Sequence, residues 1–200
     1  MESMVIMTIA IVWILAFFLG SIPFGLILAK IRKVDIRQHG SGNIGATNVA
    51  RTLGKTAGIF TLVGDVGKGY LACWIADTWL EIPWQIAIAG LLAFLGHIYS
   101  IFLKFKGGKG VATGLGIFLF VMPLSAGSAA ALFILNLLVS RYVSISSIVA
   151  AMSMPIFGFL YHYPSPYIYI SVITAFMTLY KHQDNINRLI QGTENKFIRK

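Results

Sequence analysis

The chain has 200 residues, of which 57% are hydrophobic and only 12% charged, and its mean hydropathy is +0.79; these values exclude an ordinary water-soluble domain. The formal net charge of +9 would raise nucleic acid as a partner in a soluble protein, but in so apolar a chain the cations are read against membrane topology and imply no nucleic acid. Cys73 is the single cysteine, which excludes an internal disulfide or a cysteine-based metal site and leaves a core thiol.

Taken in order, the first apolar run is Met4 to Leu28. It is too long for a signal peptide and no cationic segment precedes it, so it reads as a retained span. Gly20, Pro23 and Gly25 interrupt it and predict a bend near Pro23. Further runs cover Ala57 to Leu80, Trp84 to Leu103, Val111 to Val121, Leu124 to Ser140, Val143 to Tyr161 and Pro166 to Tyr180, against the ~20 residues a span requires. The expectation is an all-α, polytopic membrane bundle of seven transmembrane helices, two of them short, with residues 1–200 forming one domain. Pro123 divides Val111 to Ser140; read as one tilted helix, that stretch would give six spans instead.

Charge favours seven. With the N-terminus outside and the C-terminus cytoplasmic, Lys30, Arg32, Lys33, Arg37, Arg51, Lys55, Lys104, Lys106, Lys109, Arg141, Lys181, Arg188, Lys196, Arg199 and Lys200 all face the cytoplasm. The outer segments then hold Glu2, Asp77 and Glu81 and no cation, whereas six spans would put Arg141 and the basic tail on opposite sides. The polar segments after the first, third and seventh spans are separated by even numbers of crossings, so all three are expected on one membrane face.

The first of these segments runs from Gly40 to Arg51 and crowds Ser41, Gly42, Asn43, Thr47 and Asn48 among glycines before a cation. Glycines let backbone N–H groups converge on one oxyanion, and a following helix N-terminus adds its positive dipole end. Gly40-x-Gly42-x-x-Gly45 formally matches a dinucleotide fingerprint but follows a membrane span rather than a strand, and Gly54-Lys55-Thr56 lacks the leading glycine of a P-loop because Val49 stands there. No nucleotide site follows. A plain turn would explain the glycines but not the amides, hydroxyls and Arg51 among them.

The second segment, Lys104 to Thr113, sets Lys104, Lys106 and Lys109 with Gly107, Gly108 and Gly110 at the start of the short fourth span. Headgroup snorkelling accounts for Lys104. It does not account for glycines clearing space around Lys109, which a backbone-plus-lysine phosphate clamp requires. The third segment, His182 to Glu194, places His182, Asn185 and Leu189 near one helical face, and Glu194 is expected to pair with a cation and fold the tail. Asp65 and Lys68, costly in hydrocarbon, should face the bundle interior or each other as a structural pair. His39, His97, His162 and His182 have no metal-ligand spacing, so neither a metal nor another cofactor is implied. There is also no His-x-x-x-x-Asp pair and no nucleophile-elbow serine.

At these segments the chain resembles the bacterial acyl-phosphate:glycerol-3-phosphate acyltransferases of the PlsY type, whose motifs read Gly-Ser-Gly-Asn-x-Gly-x-Thr-Asn-x-x-Arg, Gly-Gly-Lys-Gly-Val-Ala-Thr and His-x-x-Asn-Ile-x-Arg-Leu-x-x-Gly-x-Glu. All three match in full, as do Asp65-x-x-Lys68-Gly69, Gly96-His97 and Arg141-Tyr142-Val143-Ser144; Ser100 departs, since the family usually has proline there. The resemblance implies transfer of a fatty acyl group from acyl phosphate to the 1-hydroxyl of glycerol 3-phosphate, giving lysophosphatidic acid and inorganic phosphate. The site would lie on the cytoplasmic side of a bacterial inner membrane, with membrane lipid as its surroundings and no obligatory protein partner. On this reading Ser41, Gly42, Asn43, Thr47, Asn48, Arg51, Lys109 and Ser144 hold the two phosphates and orient the hydroxyl. The Gly107 and Gly108 N–H groups or Asn185 stabilise the oxyanion, and His182 holds a phosphate or relays a proton. A transporter or flippase would need a cation on the outer side to receive an anion, and a lipid-binding scaffold would bind substrates without turnover.

Overall fold

The computed structural model describes residues 2–197; Arg199 and Lys200, expected on the cytoplasmic face, lie outside the described residues. The described secondary structure is helical: α1 (Glu2–Ser21), α2 (Phe24–Ile31), α3 (Ala46–Leu53), α4 (Lys55–Leu80), α5 (Pro83–Ile98), α6 (Val111–Val121), α7 (Pro123–Ser140), α8 (Val143–Leu160), α9 (Ser165–Lys181) and α10 (Gln183–Ile190), with 3-10 turns at Ile36–Gln38 and Ile101–Leu103. By length and composition, five segments among the described residues suffice to cross a membrane: Glu2–Ser21, Lys55–Leu80, Pro83–Leu103, Pro123–Ser140 and Val143–Leu160. Of the other two expected spans, α6 has 11 residues and α9 has 17, so α6 extends only about 16 Å at helical rise.

The chain divides into two compact units, residues 1–120 and 121–200. In the first, α1 packs on α4 and α5, α4 packs on α5, and the short α2 and α3 lie against α4. Apolar side chains gain nothing by leaving lipid for a neighbouring helix, so close approach of small residues has to supply the packing. Gly20 of α1 abuts the Ala93 carbonyl of α5, and Gly96 of α5 abuts the Phe17 carbonyl of α1; Gly69 of α4 and Gly116 of α6 do the same with Thr113 and Val66. The outward faces are correspondingly apolar, with Ile6 at 66% and Phe60 at 62% exposure. Cys73, in α4, is fully enclosed.

The predicted bend near Pro23 is a break: α1 stops at Ser21 and α2 starts at Phe24. The interrupted helix leaves carbonyls that side chains from elsewhere satisfy. Ser100 Oγ donates to Ser21 O at 2.6 Å and Lys68 Nζ donates to Ile22 O at 2.7 Å. Ser100, the departure from the family's usual proline, thus has a defined task as a cap on the end of α1. Beneath the first polar segment, Ala29, Ile36, Ile44, Val49 and Leu103 form a buried apolar cluster that ties α2, the loop and α3 to the end of the Ile101–Leu103 turn.

In the second unit, α8 packs between α7 and α9, and α10 continues from α9 at His182. Polar residues join the helices, as membrane interiors favour: Ser146 Oγ of α8 donates to Asn136 Oδ1 of α7 at 3.1 Å. At the other end Ser128 and Tyr161 hydroxyls lie 2.9 Å apart.

Candidate functional site

The first polar segment is a loop organised around one amide. Asn48, 2% exposed in the first turn of α3, accepts the Ser41 N–H on Oδ1 at 2.9 Å. Its Nδ2 donates to the carbonyls of Ile36 at 3.2 Å, His39 at 3.0 Å and Asn43 at 2.8 Å. The amide is therefore spent on the loop, where it holds the residues on either side. Gly40, with φ +61°, lies against Asn48 Oδ1 where a Cβ would collide with it, and Gly42 turns the chain with φ +70° and donates to His39 O at 3.0 Å. Anchoring uses backbone groups of Ser41 and Asn43, so it does not consume the Ser41 hydroxyl or the Asn43 amide. Thr47, in the first turn of α3, and Arg51, in its last, are four apart and share a face.

The second segment meets the stretch leading into the first where Arg37 Nη2 donates to Lys106 O at 3.3 Å. The Gly107 and Gly108 N–H groups donate to Ile98 O at 3.0 Å and His97 O at 3.1 Å. Both N–H groups, expected from the resemblance at an oxyanion, are closed onto the end of α5. Their lack of side chains serves packing instead: Gly108 lies on the His97 imidazole and Gly110, at φ +86°, on the Phe94 ring. Lys109, half-buried, stands between them, two residues before α6.

Beneath that turn sits a buried polar cluster. Lys68 Nζ lies 2.8 Å from Asp65 Oδ1, with side chains 1% and 4% exposed, and 5.9 Å from the centre of the Phe24 ring. His97 Nδ1 lies 3.7 Å from the same Asp65 oxygen. One ion pair thus supports both the break after α1 and the imidazole under Gly108. On spacing alone His97 is one of four histidines without a ligand pattern; its signal in the sequence is a histidine at an apolar helix end, followed ten residues later by paired glycines that leave room for a ring.

In the second unit, His182 is both the last-turn cap of α9 and the entry to α10, and is 3% exposed. Its Nδ1 is 2.7 Å from Thr178 O. A carbonyl can only accept, so Nδ1 carries the proton and Nε2 presents its lone pair in the neutral ring. Glu194 gathers the other expected residues: Oε1 accepts from Ser144 Oγ at 2.9 Å and Asn185 Nδ2 at 2.7 Å, and Oε2 accepts from Arg188 Nε at 2.8 Å. Burial pushes the Glu194 carboxyl up, but hydrogen bonds from Asn185, Arg188 and Ser144 and the Arg188 charge outweigh it and hold the group below the usual glutamate range.

A carboxyl depressed in the folded state stabilises that state above its unfolded pKa and ceases to do so as pH falls through the folded value. Protection factors for hydrogen exchange at 191–197, each taken against the intrinsic base-catalysed rate at the same pH, should therefore be flat with pH through neutrality. They should fall only in acid, below the ordinary glutamate pKa of about 4.3. A loss of protection on raising the pH from 5 to 8 would show that the carboxylate does not anchor the tail.

A sequence model of the glycerol-3-phosphate acyltransferase family matches residues 10–192. A Geotalea daltonii protein named glycerol-3-phosphate acyltransferase is 53% identical over 196 residues, spanning 96% of this chain and 100% of the relative. One of the same name from Geobacter sulfurreducens is 52% identical, spanning 91% and 94%. The crystal structure of PlsY (YgiH), an integral membrane glycerol 3-phosphate acyltransferase, in its glycerol 3-phosphate form superposes with a TM-score of 0.92 at 41% identity, covering 95% of this chain and 96% of that one. Its lysophosphatidic acid form gives 0.88 at 40% identity, covering 94% of each.

Proposed function

Because the chain belongs to the glycerol-3-phosphate acyltransferase family, we propose that it moves a fatty acyl group from acyl phosphate to the 1-hydroxyl of glycerol 3-phosphate, releasing lysophosphatidic acid and inorganic phosphate. The observation that carries this reading is that PlsY has been solved in a glycerol 3-phosphate form and a lysophosphatidic acid form, two molecules that differ by one acyl group. Acyl phosphate as donor is favoured by the cation supply: Arg51 and Lys109 match a reaction in which both reactants carry phosphate.

In this mechanism Ser41, Gly42, Asn43, Thr47 and Arg51, with Lys109, bind the phosphates and align the hydroxyl with the carbonyl carbon. Positioning of this kind can supply several kcal/mol of the barrier. The hydroxyl oxygen bonds to the carbonyl carbon, the carbon–oxygen bond to phosphate breaks, and the phosphate leaves with that electron pair. The hydroxyl proton passes to an oxygen of the departing phosphate, so no protein base is needed. His182 Nε2 serves as a phosphate ligand when protonated, and Asn185 supplies an amide to the developing oxyanion. Asn48, Ser144 and Glu194 hold these residues in place, and Asp65 and Lys68 are structural. The whole chain acts as one catalytic domain of seven spans, N-terminus outside. Its polar segments lie on the cytoplasmic face of a bacterial inner membrane, a placement supported by the cation distribution.

The test is purified protein with glycerol 3-phosphate and, in parallel, acyl phosphate, acyl-CoA or acyl-carrier-protein thioester. Phosphate and lysophosphatidic acid should form from acyl phosphate alone. Turnover confined to a thioester would overturn the donor assignment, and substrate binding without turnover would leave a scaffold. His182→Asn should keep measurable turnover, whereas Arg51→Ala should lose about 10²- to 10³-fold or more, the scale of removing a transition-state charge contact. Equal losses in the two variants would argue that His182, rather than the donor phosphate, takes the proton.

A further inference from the structure

Within the first unit, a groove of about 660 Å³ opens between the end of α2, the segment leading into the first polar loop, and the Ile101–Leu103 turn. Five cations line it: Lys30, Lys33, Arg37, Lys104 and Lys106. None of them is among the residues assigned to substrate above. Asp35 is the one carboxylate in the lining; its oxygens accept from the Arg37 N–H at 3.1 Å and Gln38 Nε2 at 2.9 Å, and its single charge offsets only one of the five, which leaves the groove strongly cationic. Arg37 donates to Lys106 O, which closes one wall on the other. The negative end of α2 accounts for a cation at Lys30, but not for the other four.

The remaining wall is apolar, from Leu26, Val34 and Leu103 to Phe102. Around it, Ile31 is 70% exposed, Phe102 58% and Phe105 59%. Such side chains fit hydrocarbon rather than water, so the groove combines a cationic floor with a rim suited to acyl chains. A soluble anion would use only the first of these features; an amphiphile uses both. Basic pockets beside membrane helices bind anionic headgroups in this way.

We propose that this groove is a binding site for the phosphate headgroup of an anionic bilayer lipid, separate from the acyl-transfer site. The inference rests on the membrane placement proposed above. Its test uses the full chain in nanodiscs of phosphatidylcholine, with or without a minor fraction of phosphatidylglycerol, and native mass spectrometry of lipid retained on release. Phosphatidylglycerol should be retained about tenfold over phosphatidylcholine or more, and neutralising each lysine should weaken that preference roughly fivefold. The triple variant Lys30→Gln, Lys33→Gln, Lys104→Gln should lose the preference while keeping turnover in phosphatidylcholine nanodiscs. The matching triple arginine variant should retain the preference. Equal retention of the two lipids by the parent chain would overturn the proposal, as would loss of preference in the arginine variant. Displacement of phosphatidylglycerol by equimolar inorganic phosphate would show a site for free phosphate instead. Turnover with acyl phosphate is read separately, so a failed lipid site and a failed enzymatic reading give different results.

Discussion

Asn48→Ala should remove nearly all turnover and lower stability by about 2–4 kcal/mol, because four backbone groups lose their buried partner at a net cost of about 1 kcal/mol each. The groups are the Ser41 N–H and the carbonyls of Ile36, His39 and Asn43. No water-accessible alternative suits them all, since Asn48 is 2% exposed and the apolar cluster of Ile36, Ile44 and Val49 lies against the same loop. Relaxation would move Ser41 and Asn43 relative to Arg51, and a displacement near 1 Å is worth about 10²-fold in rate. Asn48→Asp keeps the acceptor for Ser41 N–H but loses the donors to three carbonyls, so it should be nearly as damaging. Turnover and thermal unfolding measured together check this. A variant with parental melting temperature and a raised KM alone would mean that the amide touches substrate after all.

The second large effect is expected at Lys68. Lys68→Met leaves the Asp65 carboxylate buried with only His97 at 3.7 Å for company, and breaking such a pair from one side costs about 3–5 kcal/mol. For a chain of this length that corresponds to a melting temperature roughly 10 °C lower. Removing both charges, as in Asp65→Leu with Lys68→Met, should recover part of the loss, because an apolar pair has no unpaired charge. Recovery stays incomplete, since Ile22 O also loses its donor. A single variant as stable as the parent, or a double variant no better than the single, would show that the ion pair does not brace the break after α1.

Much of this architecture was legible before any coordinates. Proline positions located the interruptions at Pro23 and Pro123, because a missing N–H and a fixed φ act locally wherever the chain runs. The three motifs marked the polar segments for the same reason: glycine clusters and amides in hydrocarbon-rich sequence have few other uses. What stayed hidden was the direction in which polar groups face. Nothing in the spacing of Asn48 distinguishes an amide turned inward onto its own loop from one turned toward a ligand; that depends on Ile36 and His39 folding back over it. The same holds for the Gly107 and Gly108 N–H groups, since their acceptors on His97 and Ile98 come from the end of the preceding helix. Span counting met a different difficulty: α6, at 11 residues, is apolar enough but short, and hydropathy carries no information about how bilayer and helix adjust to each other.

The sealing of Cys73 inside α4 has a practical result. As the one thiol in the sequence and with 0% exposure, it is out of reach of maleimide reagents from either side of a vesicle. Reporter cysteines can therefore be introduced singly into the otherwise native protein, without first building a cysteine-free background. With the N-terminus outside, a cysteine at the exposed Lys55 should react only with reagent admitted to the interior of cells, and one at the exposed Glu81 with impermeant reagent added outside. The reverse pattern would invert the orientation.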